Sequence, residues 1–177
     1  MDAAELALRV EAALLTLDRP MTSARLAEAL GQDATGPVND AIKALNELYE
    51  ESGRSFRIEQ VAGGWQIMTL QRFADVLAAL HKSKTATKLS PAALETLAIV
   101  AYKQPIMRAQ VEAIRGAASG EVLRSLMDRH LIKIVGRAEE VGRPMLYGTT
   151  KSFLEVFGLA GLKDLPSVEQ LKLKSAE

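Results

Sequence analysis

The sequence contains no cysteine, only two histidines and few aromatic side chains, which make up 5% of its 177 residues. Without cysteine the chain forms no disulfide bond and offers no thiolate to a metal ion, which suits a reducing compartment. No apolar run approaches the roughly 20 residues that a membrane-spanning helix needs. The first five residues include two acids, whereas a secretory signal begins with a basic region. We therefore expect a cytoplasmic protein with no membrane segment.

An excess of either charge is also lacking, since 22 Lys and Arg residues stand against 22 Asp and Glu residues. A chain of zero net charge has no general electrostatic attraction for a nucleic-acid backbone, so only a local basic patch would bind one. Hydrophobic residues make up 48%, which is ample for packed cores and too rich for a disordered chain. The composition indicates a folded protein.

Candidate catalytic residues are equally scarce. His81 and His130 have no nucleophile or carboxylate at a spacing that indicates catalysis. The chain has neither a glycine-rich phosphate-binding motif nor a cluster of metal ligands in sequence. The sequence therefore predicts a protein that is not an enzyme and that needs no cofactor and no metal.

The same order of elements occurs twice along the chain, which predicts two similar domains. In the first half, helical periodicity covers about residues 4–17, 23–30, 38–50 and 73–82, and strand-like runs cover 56–61 and 65–70 around a turn at Gly63 and Gly64. The second half predicts helices over about 91–103, 108–115 and 120–130, strands over 131–135 and 145–149, and a closing helix from about residue 151. Pro20 corresponds to Pro105, and Gly31 corresponds to Gly116, where each short helix ends.

Three helices followed by a β-ribbon are typical of the winged-helix variant of the helix-turn-helix. We therefore predict a mainly α protein with small β-ribbons, of class α+β, built from two tandem winged-helix domains. The expected divisions are a first domain over 1–82, a basic linker over 83–89, a second domain over 90–166 and a flexible tail over 167–177. Ser90 and Pro91 are predicted to cap and begin the first helix of the second domain.

The third helix of each repeat is the element that would enter the major groove of DNA, where base edges and phosphates favour Arg, Lys, Asn and Gln. These two helices carry mixed or acidic charge: Lys43 against Asp40, Glu47, Glu50 and Glu51, and Arg124 and Arg129 against Glu121 and Asp128. Neither presents a basic face. The basic segment formed by the linker residues Lys84 and Lys88 and the preceding His81 and Lys82 is either a phosphate contact or a solvated hinge.

The first predicted helix is apolar on two sides. One stripe, formed by Leu6, Val10, Leu14 and Leu17, is sufficient to cover a small core. Leu8 and Leu15 point in the opposite direction, and a domain of about 80 residues is marginal by itself. We predict that Leu8 and Leu15 form the interface of a two-fold homodimer. The alternative is that they pack within their own domain, against its last helix or its ribbon.

Residues 89–106, with the sequence LSPAALETLAIVAYKQPI, closely resemble the segregation and condensation protein B family. Further matching motifs are Ile114-Arg115-Gly116, Gly142-Arg143-Pro144 and Tyr147-Gly148-Thr149-Thr150. The resemblance extends over about residues 10–166 and is denser in the second half. Met107 departs from it, since the family often has threonine at this position; the methionine adds apolar area and indicates a slightly different partner surface.

This resemblance implies a non-enzymatic accessory subunit of the bacterial SMC–kleisin complex, which supports chromosome condensation and segregation in the cytoplasm, at the nucleoid. It implies a homodimer formed through the first domains and a second domain that binds the kleisin subunit ScpA, which connects it indirectly to the SMC ATPase. Direct DNA contact is expected to be weak or absent. The alternative function is that of a tandem winged-helix DNA-binding transcription regulator.

Four residues of the second half are candidates for kleisin binding. Arg115, Arg137 and Arg143 lie at a predicted helix end and in the wing, where guanidinium groups can take carboxylates or backbone carbonyls in pairs. For Arg115 the alternative is that it caps the C-terminus of its own helix. Tyr147 is either part of this surface or a core residue whose hydroxyl reaches a polar edge.

Overall fold

The computed structural model describes residues 2–80 and 88–167, and the chain divides into two compact units. Of the described residues, 2–80 and 158–167 belong to the first unit and 88–157 to the second. From the sequence, residues 158–166 were expected in the second domain, but they group with the first unit. There the backbone N–H of Ala62 donates to Leu159 O at 2.8 Å. The predicted linker and tail, with His81, Lys82 and Lys84, lie mostly outside the described residues.

Helices precede a β-ribbon in the first unit. The elements are α1 (Ala3–Leu15), α2 (Ser23–Ala29), α3 (Gly36–Glu51), β1 (Phe56–Val61), β2 (Gly64–Thr69), a 3-10 turn (Gln71–Phe73) and α4 (Ala74–Leu80). Asp2 caps α1 by accepting from the Glu5 N–H at 2.7 Å, and Thr22 caps α2 by accepting from the Arg25 N–H at 3.4 Å. These local signals explain why the helices begin close to their predicted positions.

The core of the first unit lies where α1, α2 and α3 meet the ribbon. From α1 it takes the predicted stripe, of which Leu6, Val10 and Leu14 are buried and Leu17 is half-buried. The other elements contribute Leu26, Val38, Ile42, Leu45, Tyr49 and Ile58. The amphipathic period of α1 therefore determines which of its sides faces inward.

The hairpin turn of this ribbon lies one residue earlier than the sequence predicted. Ala62 and Gly63 form the turn, with φ of +50° and +77°, and Gly64 is the first residue of β2. Gly64 is instead needed for space, because a Cβ there would lie 2.9 Å from backbone atoms of Pro20 and Met21. Met21 approaches so closely because it pairs with Trp65 through two backbone hydrogen bonds, of 2.8 and 3.1 Å.

The second unit repeats this order. Its elements are α5 (Pro91–Lys103), β3 (Ile106–Met107), α6 (Arg108–Arg115), α7 (Gly120–Asp128), β4 (Ile132–Arg137), β5 (Met145–Thr149) and α8 (Lys151–Phe157). Ser90 caps α5 as predicted, accepting from the Ala93 N–H at 3.2 Å, and Gly116 ends α6 with a φ of +70°. The strands form an antiparallel sheet in the order β3-β5-β4.

Each unit is therefore a winged helix, with three helices followed by a β-ribbon. The core of the second unit includes Leu97, Val100, Val111, Leu123, Leu126, Ile132 and Phe153. The two-residue strand β3 was not predicted, and it corresponds to the position of Met21 in the first unit. The predicted α+β class and the winged-helix architecture are confirmed.

Candidate interaction surfaces

The outer side of α1 is not covered by the rest of its unit. Leu8 is 60% exposed and Leu15 is 63% exposed, so neither α4 nor the ribbon packs over them. Leu48 of α3 is 56% exposed and shares a small cleft with Glu11, which lies between Leu8 and Leu15 on α1. We call the surface formed by Leu8, Glu11, Leu15 and Leu48 the α1 face. Sequence reasoning missed Leu48, which adjoins the buried stripe of α3.

A hydrogen bond between Tyr49 and Glu11 connects the α1 face to the core. The hydroxyl of Tyr49 donates to Glu11 Oε1 at 2.7 Å. Burial and this hydrogen bond to a carboxylate both raise the pKa of Tyr49 well above its usual value, so the phenol stays protonated. The contact joins α1 to α3 directly beneath the exposed leucines.

Two of the candidate arginines lie together in the wing of the second unit. Arg137 Nη1 donates to the carbonyl oxygen of Arg143 at 3.1 Å, which joins the end of β4 to the wing loop. Arg143 has a φ of +41° and follows Gly142, with a φ of +84°, and its N–H donates to Glu140 O at 2.8 Å. Both arginine side chains belong to exposed residues, so their remaining donors face solvent.

Tyr147 forms one wall of a cleft beside this wing. The residue is only 8% exposed, and the cleft, of about 400 Å³, is lined by Arg108, Ala109, Glu112, Pro144, Met145 and Tyr147. We call it the wing cleft. Arg108 and Glu112 were not predicted as site residues, although their spacing of four on α6 is a recognisable sequence signal for an ion pair.

Glu112 has two hydrogen-bond donors. Arg108 Nε donates to its carboxylate at 2.8 Å, and so does the backbone N–H of Ser119, at 2.8 Å. The bond from Ser119 and then that from Arg108 hold the pKa of Glu112 below its usual value. The guanidinium of Arg108 lies close to α7, since a Cβ on Gly120 would be 2.9 Å from Arg108 Cζ.

Arg115 is not part of the wing cleft. Its side chain is only 8% exposed, and its Nε donates to Glu95 at 3.0 Å. Its Nη1 donates to Ala118 O at 3.2 Å and to Ser119 Oγ at 3.0 Å. Because these bonds join α5, α6 and the loop before α7, we expect Arg115 to stabilise the unit rather than to contact a partner.

Residues 2–80 and 88–167 contain no group of three His, Asp or Glu side chains that could hold a metal ion. Over the same ranges, no helix is both long and apolar enough to cross a membrane. His130 follows α7 with a φ of +58°, and His81 lies outside the described residues.

Comparison with known proteins identifies the family. The family model for "Segregation and condensation complex subunit ScpB" matches residues 8–168. This chain belongs to the ScpB family. Segregation and condensation protein B of Syntrophotalea carbinolica is 42% identical over 170 residues, covering 96% of this chain and 85% of that protein. The ScpB protein of Moorella thermoacetica is 44% identical over 162 residues, covering 92% of this chain and 82% of that one.

A crystal structure of ScpB from Mycobacterium tuberculosis is 37% identical and covers 90% of this chain and 98% of that chain, with a TM-score of 0.44. Because this TM-score is below 0.5, the membership of this chain in the ScpB family rests on the family model and the two relatives. The resemblance seen in residues 89–106 and in the wing motifs is confirmed. The ScpB family is that of a complex subunit and not of a known enzyme.

Proposed function

We propose that this chain is a non-enzymatic, homodimeric subunit of the SMC–kleisin complex that binds the kleisin ScpA and supports chromosome condensation and segregation. In this proposal it meets the SMC ATPase only through the kleisin and acts at the nucleoid. The observation that carries the proposal is membership of the ScpB family over residues 8–168. The α1 face and the wing cleft are the surfaces on which the two binding partners would lie.

The α1 face supports the homodimer. It presents Leu8, Leu15 and Leu48 to solvent on one side of a small unit, and contiguous exposed apolar residues typically mark an interface. A two-fold axis through this face would bring the leucines of both copies together, because the same patch faces itself in a symmetric dimer. Glu11, which lies between Leu8 and Leu15, would keep the hydrogen bond that it accepts from Tyr49.

The wing cleft supports kleisin binding. Its apolar walls, Ala109, Pro144, Met145 and Tyr147, suit a hydrophobic side chain of a peptide. The exposed guanidinium groups of Arg137 and Arg143 lie next to it along the wing and suit carboxylates or backbone carbonyls. Arg115 is omitted from the proposed surface because its donors are already used within the unit.

The charges on the third helices favour this function over transcription regulation. In α3 the exposed Lys43 lies 3.9 Å from Glu47, and Asp40, Glu50 and Glu51 are exposed as well. In α7 the exposed Arg124 lies 3.9 Å from Glu121. A phosphate backbone would meet these acids at either helix, so any direct DNA contact is expected to be weak.

Co-purification with the central segment of the kleisin, followed by multi-angle light scattering, tests the proposal. We expect a stable complex that contains two copies of this chain. If no complex forms, and the chain instead binds a DNA duplex tightly and with strong salt dependence, the proposal is wrong and the transcription-regulator function is favoured.

A further inference from the structure

Strand β4 is an outer strand of the sheet in the second unit, because the described residues form the order β3-β5-β4. Its hydrogen bonds to β5 determine which of its backbone groups face outward. The Thr150 N–H donates to Leu131 O at 3.2 Å, just before β4 begins. Successive residues of a strand alternate in direction, so Lys133 also faces β5, whereas Ile134 directs its N–H and C=O away from the sheet.

The far end of β4 has outward groups as well. The Ala138 N–H donates to Pro144 O at 2.9 Å, so the preceding Arg137 directs its backbone groups outward. The register against β5 shifts directly after Ile134, at a bulge where Ile134 is 46% and Val135 is 47% exposed. Within the described part of the chain, no hydrogen bond uses the backbone groups of Ile134 or Arg137. We call this row of outward groups, from Lys133 to Arg137, the β4 edge.

The first unit treats its own outer strand differently. Val61 and Gly64 face each other at the hairpin turn, so by the same alternation Ile58 of β1 directs its backbone groups outward. The Asn46 side chain of α3 donates to Ile58 O at 2.9 Å and accepts from the Ile58 N–H at 2.8 Å. Among the described residues, no side chain does this for the β4 edge. A free edge of this kind is a template for pairing with a further strand.

The β4 edge is positively charged. Lys133 and Arg137 are exposed, β4 contains no acidic residue, and Arg143 follows in the wing, where its carbonyl oxygen accepts from Arg137. Across residues 2–80 and 88–167, none of these three cations forms an ion pair. Two copies of β4 paired with each other would bring like charges together, and lysines and bulges protect free edges from self-pairing. The charge therefore favours an acidic strand of another protein over a second copy of this chain.

We infer that the kleisin adds an extended, acidic segment to the β4 edge, pairing with the backbone of Ile134 and Arg137 and placing carboxylates near Lys133 and Arg137. The inference rests on the proposed function and specifies how the second unit takes part in it. In strand addition the backbone hydrogen bonds give affinity and the side chains give specificity. The β4 edge is continuous with the wing arginines of the proposed kleisin surface, because Arg137 belongs to both.

Amide hydrogen exchange tests the inference, measured by NMR on the full-length protein with and without the central segment of the kleisin. In the free chain the N–H groups of Ile134 and Arg137 should exchange rapidly, whereas that of Lys133, which faces β5, should exchange slowly. We expect the complex to slow exchange at Ile134 and Arg137 by about tenfold or more, because a hydrogen bond to an added strand protects the amide. Lys133 serves as the internal reference, protected in both states.

The outcomes separate this inference from the proposed function. A complex that forms while exchange at Ile134 and Arg137 is unchanged overturns the strand addition and leaves kleisin binding intact. If no complex forms, the proposed function fails and the inference fails with it. Slow exchange at Ile134 in the free chain would show that the edge is already occupied, which also overturns the inference.

Two variants of one residue separate the backbone from the side chain. Proline is tolerated in an outer strand where its missing N–H would face outward, so Ile134→Pro should keep the fold and remove one donor of the β4 edge. We expect its Kd for the kleisin segment to rise by about tenfold, with unchanged melting. Ile134→Ala keeps the N–H and should lose clearly less affinity, and equal losses in the two variants would overturn the inference. If Ile134→Pro melts early, the exchange measurement on the unaltered protein decides.

Discussion

Glu112 illustrates, at the scale of one residue, how the second unit uses a surface carboxylate. It accepts from Arg108 on its own helix and from the Ser119 N–H at the start of α7. The N–H groups of a first helical turn have no partner within the helix, so the carboxylate takes the place of a capping side chain. The ionised form of Glu112 therefore holds α6 and α7 together.

We predict that Glu112→Gln lowers the melting temperature at neutral pH, and that this difference shrinks in acid. The pKa of Glu112 is lowered in the folded state, so its ionised form stabilises the protein above the usual value of 4.5. That contribution is lost as the pH falls below 4.5 and then through the folded pKa, where wild type and variant are both neutral. Thermal melting between pH 7 and pH 3 measures the difference in melting temperature between the wild type and the variant. A difference that does not change with pH would contradict the stabilising role of the ionised Glu112.

Position 64 requires glycine because another segment of backbone passes close to it. We predict that Gly64→Ala destabilises the protein by about 1–3 kcal/mol, because its Cβ would lie 2.9 Å from the backbone of Met21, which is fixed by two hydrogen bonds to Trp65. Urea unfolding measures the loss. Gly36→Ala serves as the control, since a Cβ there meets nothing within 4 Å, and an equal loss in both variants would refute the steric explanation.

At the scale of elements, local signals predicted the helices and the longer strands, such as β1 over 56–61 and β5 over 145–149, but not the short strand β3. Helix α1 was predicted over 4–17 and extends over Ala3–Leu15, and α5 was predicted over 91–103, as observed. Apolar period and capping residues lie within the helix itself, so the sequence shows them directly. The strand β3 escaped prediction because two residues have no period, and their strand conformation depends on pairing with β5.

The ribbon turn of the first unit shows the same limit. Gly63 and Gly64 are both compatible with a tight turn, and sequence cannot tell which of them adopts positive φ. The choice follows from the register of β1 against β2, in which Val61 pairs with Gly64 and leaves Ala62 and Gly63 as the loop. In that register Trp65 pairs with Gln60 of β1, and its backbone pairs with Met21 in a separate bridge.

At the scale of the whole molecule, the α1 face is the interface of the proposed homodimer. We predict that Leu8→Glu combined with Leu15→Glu converts the dimer to monomers without unfolding either unit. Burial of a leucine contributes about 1.5–3 kcal/mol, and each substitution is present twice in a symmetric dimer. Light scattering measures the mass. Ile114→Glu, an equally exposed apolar position on α6, is the control that should remain dimeric, and a double variant that stays dimeric would exclude this interface.

Kleisin binding is the second interaction of the proposed function. We predict that Arg143→Glu weakens the complex by about 1.5–3 kcal/mol, because a charge-assisted contact is replaced by repulsion, and that melting is unchanged since the side chain is exposed. Isothermal titration with the kleisin segment measures the affinity. Arg124→Glu, on the exposed side of α7, reverses the same charge outside the cleft and should bind normally. Unchanged binding with lowered melting would make Arg143 a purely structural residue.

The sequence by itself determined the repeat, the winged-helix order, the mixed charge of α3 and α7, the outward leucines of α1 and membership of the ScpB family. These properties are carried by local period, composition and motifs. The tertiary structure alone decided that the donors of Arg115 are used by Glu95 and Ser119, and that Tyr147 forms a wall of the wing cleft. Each of these depends on side chains that are distant in sequence and meet only when helices and ribbon pack together.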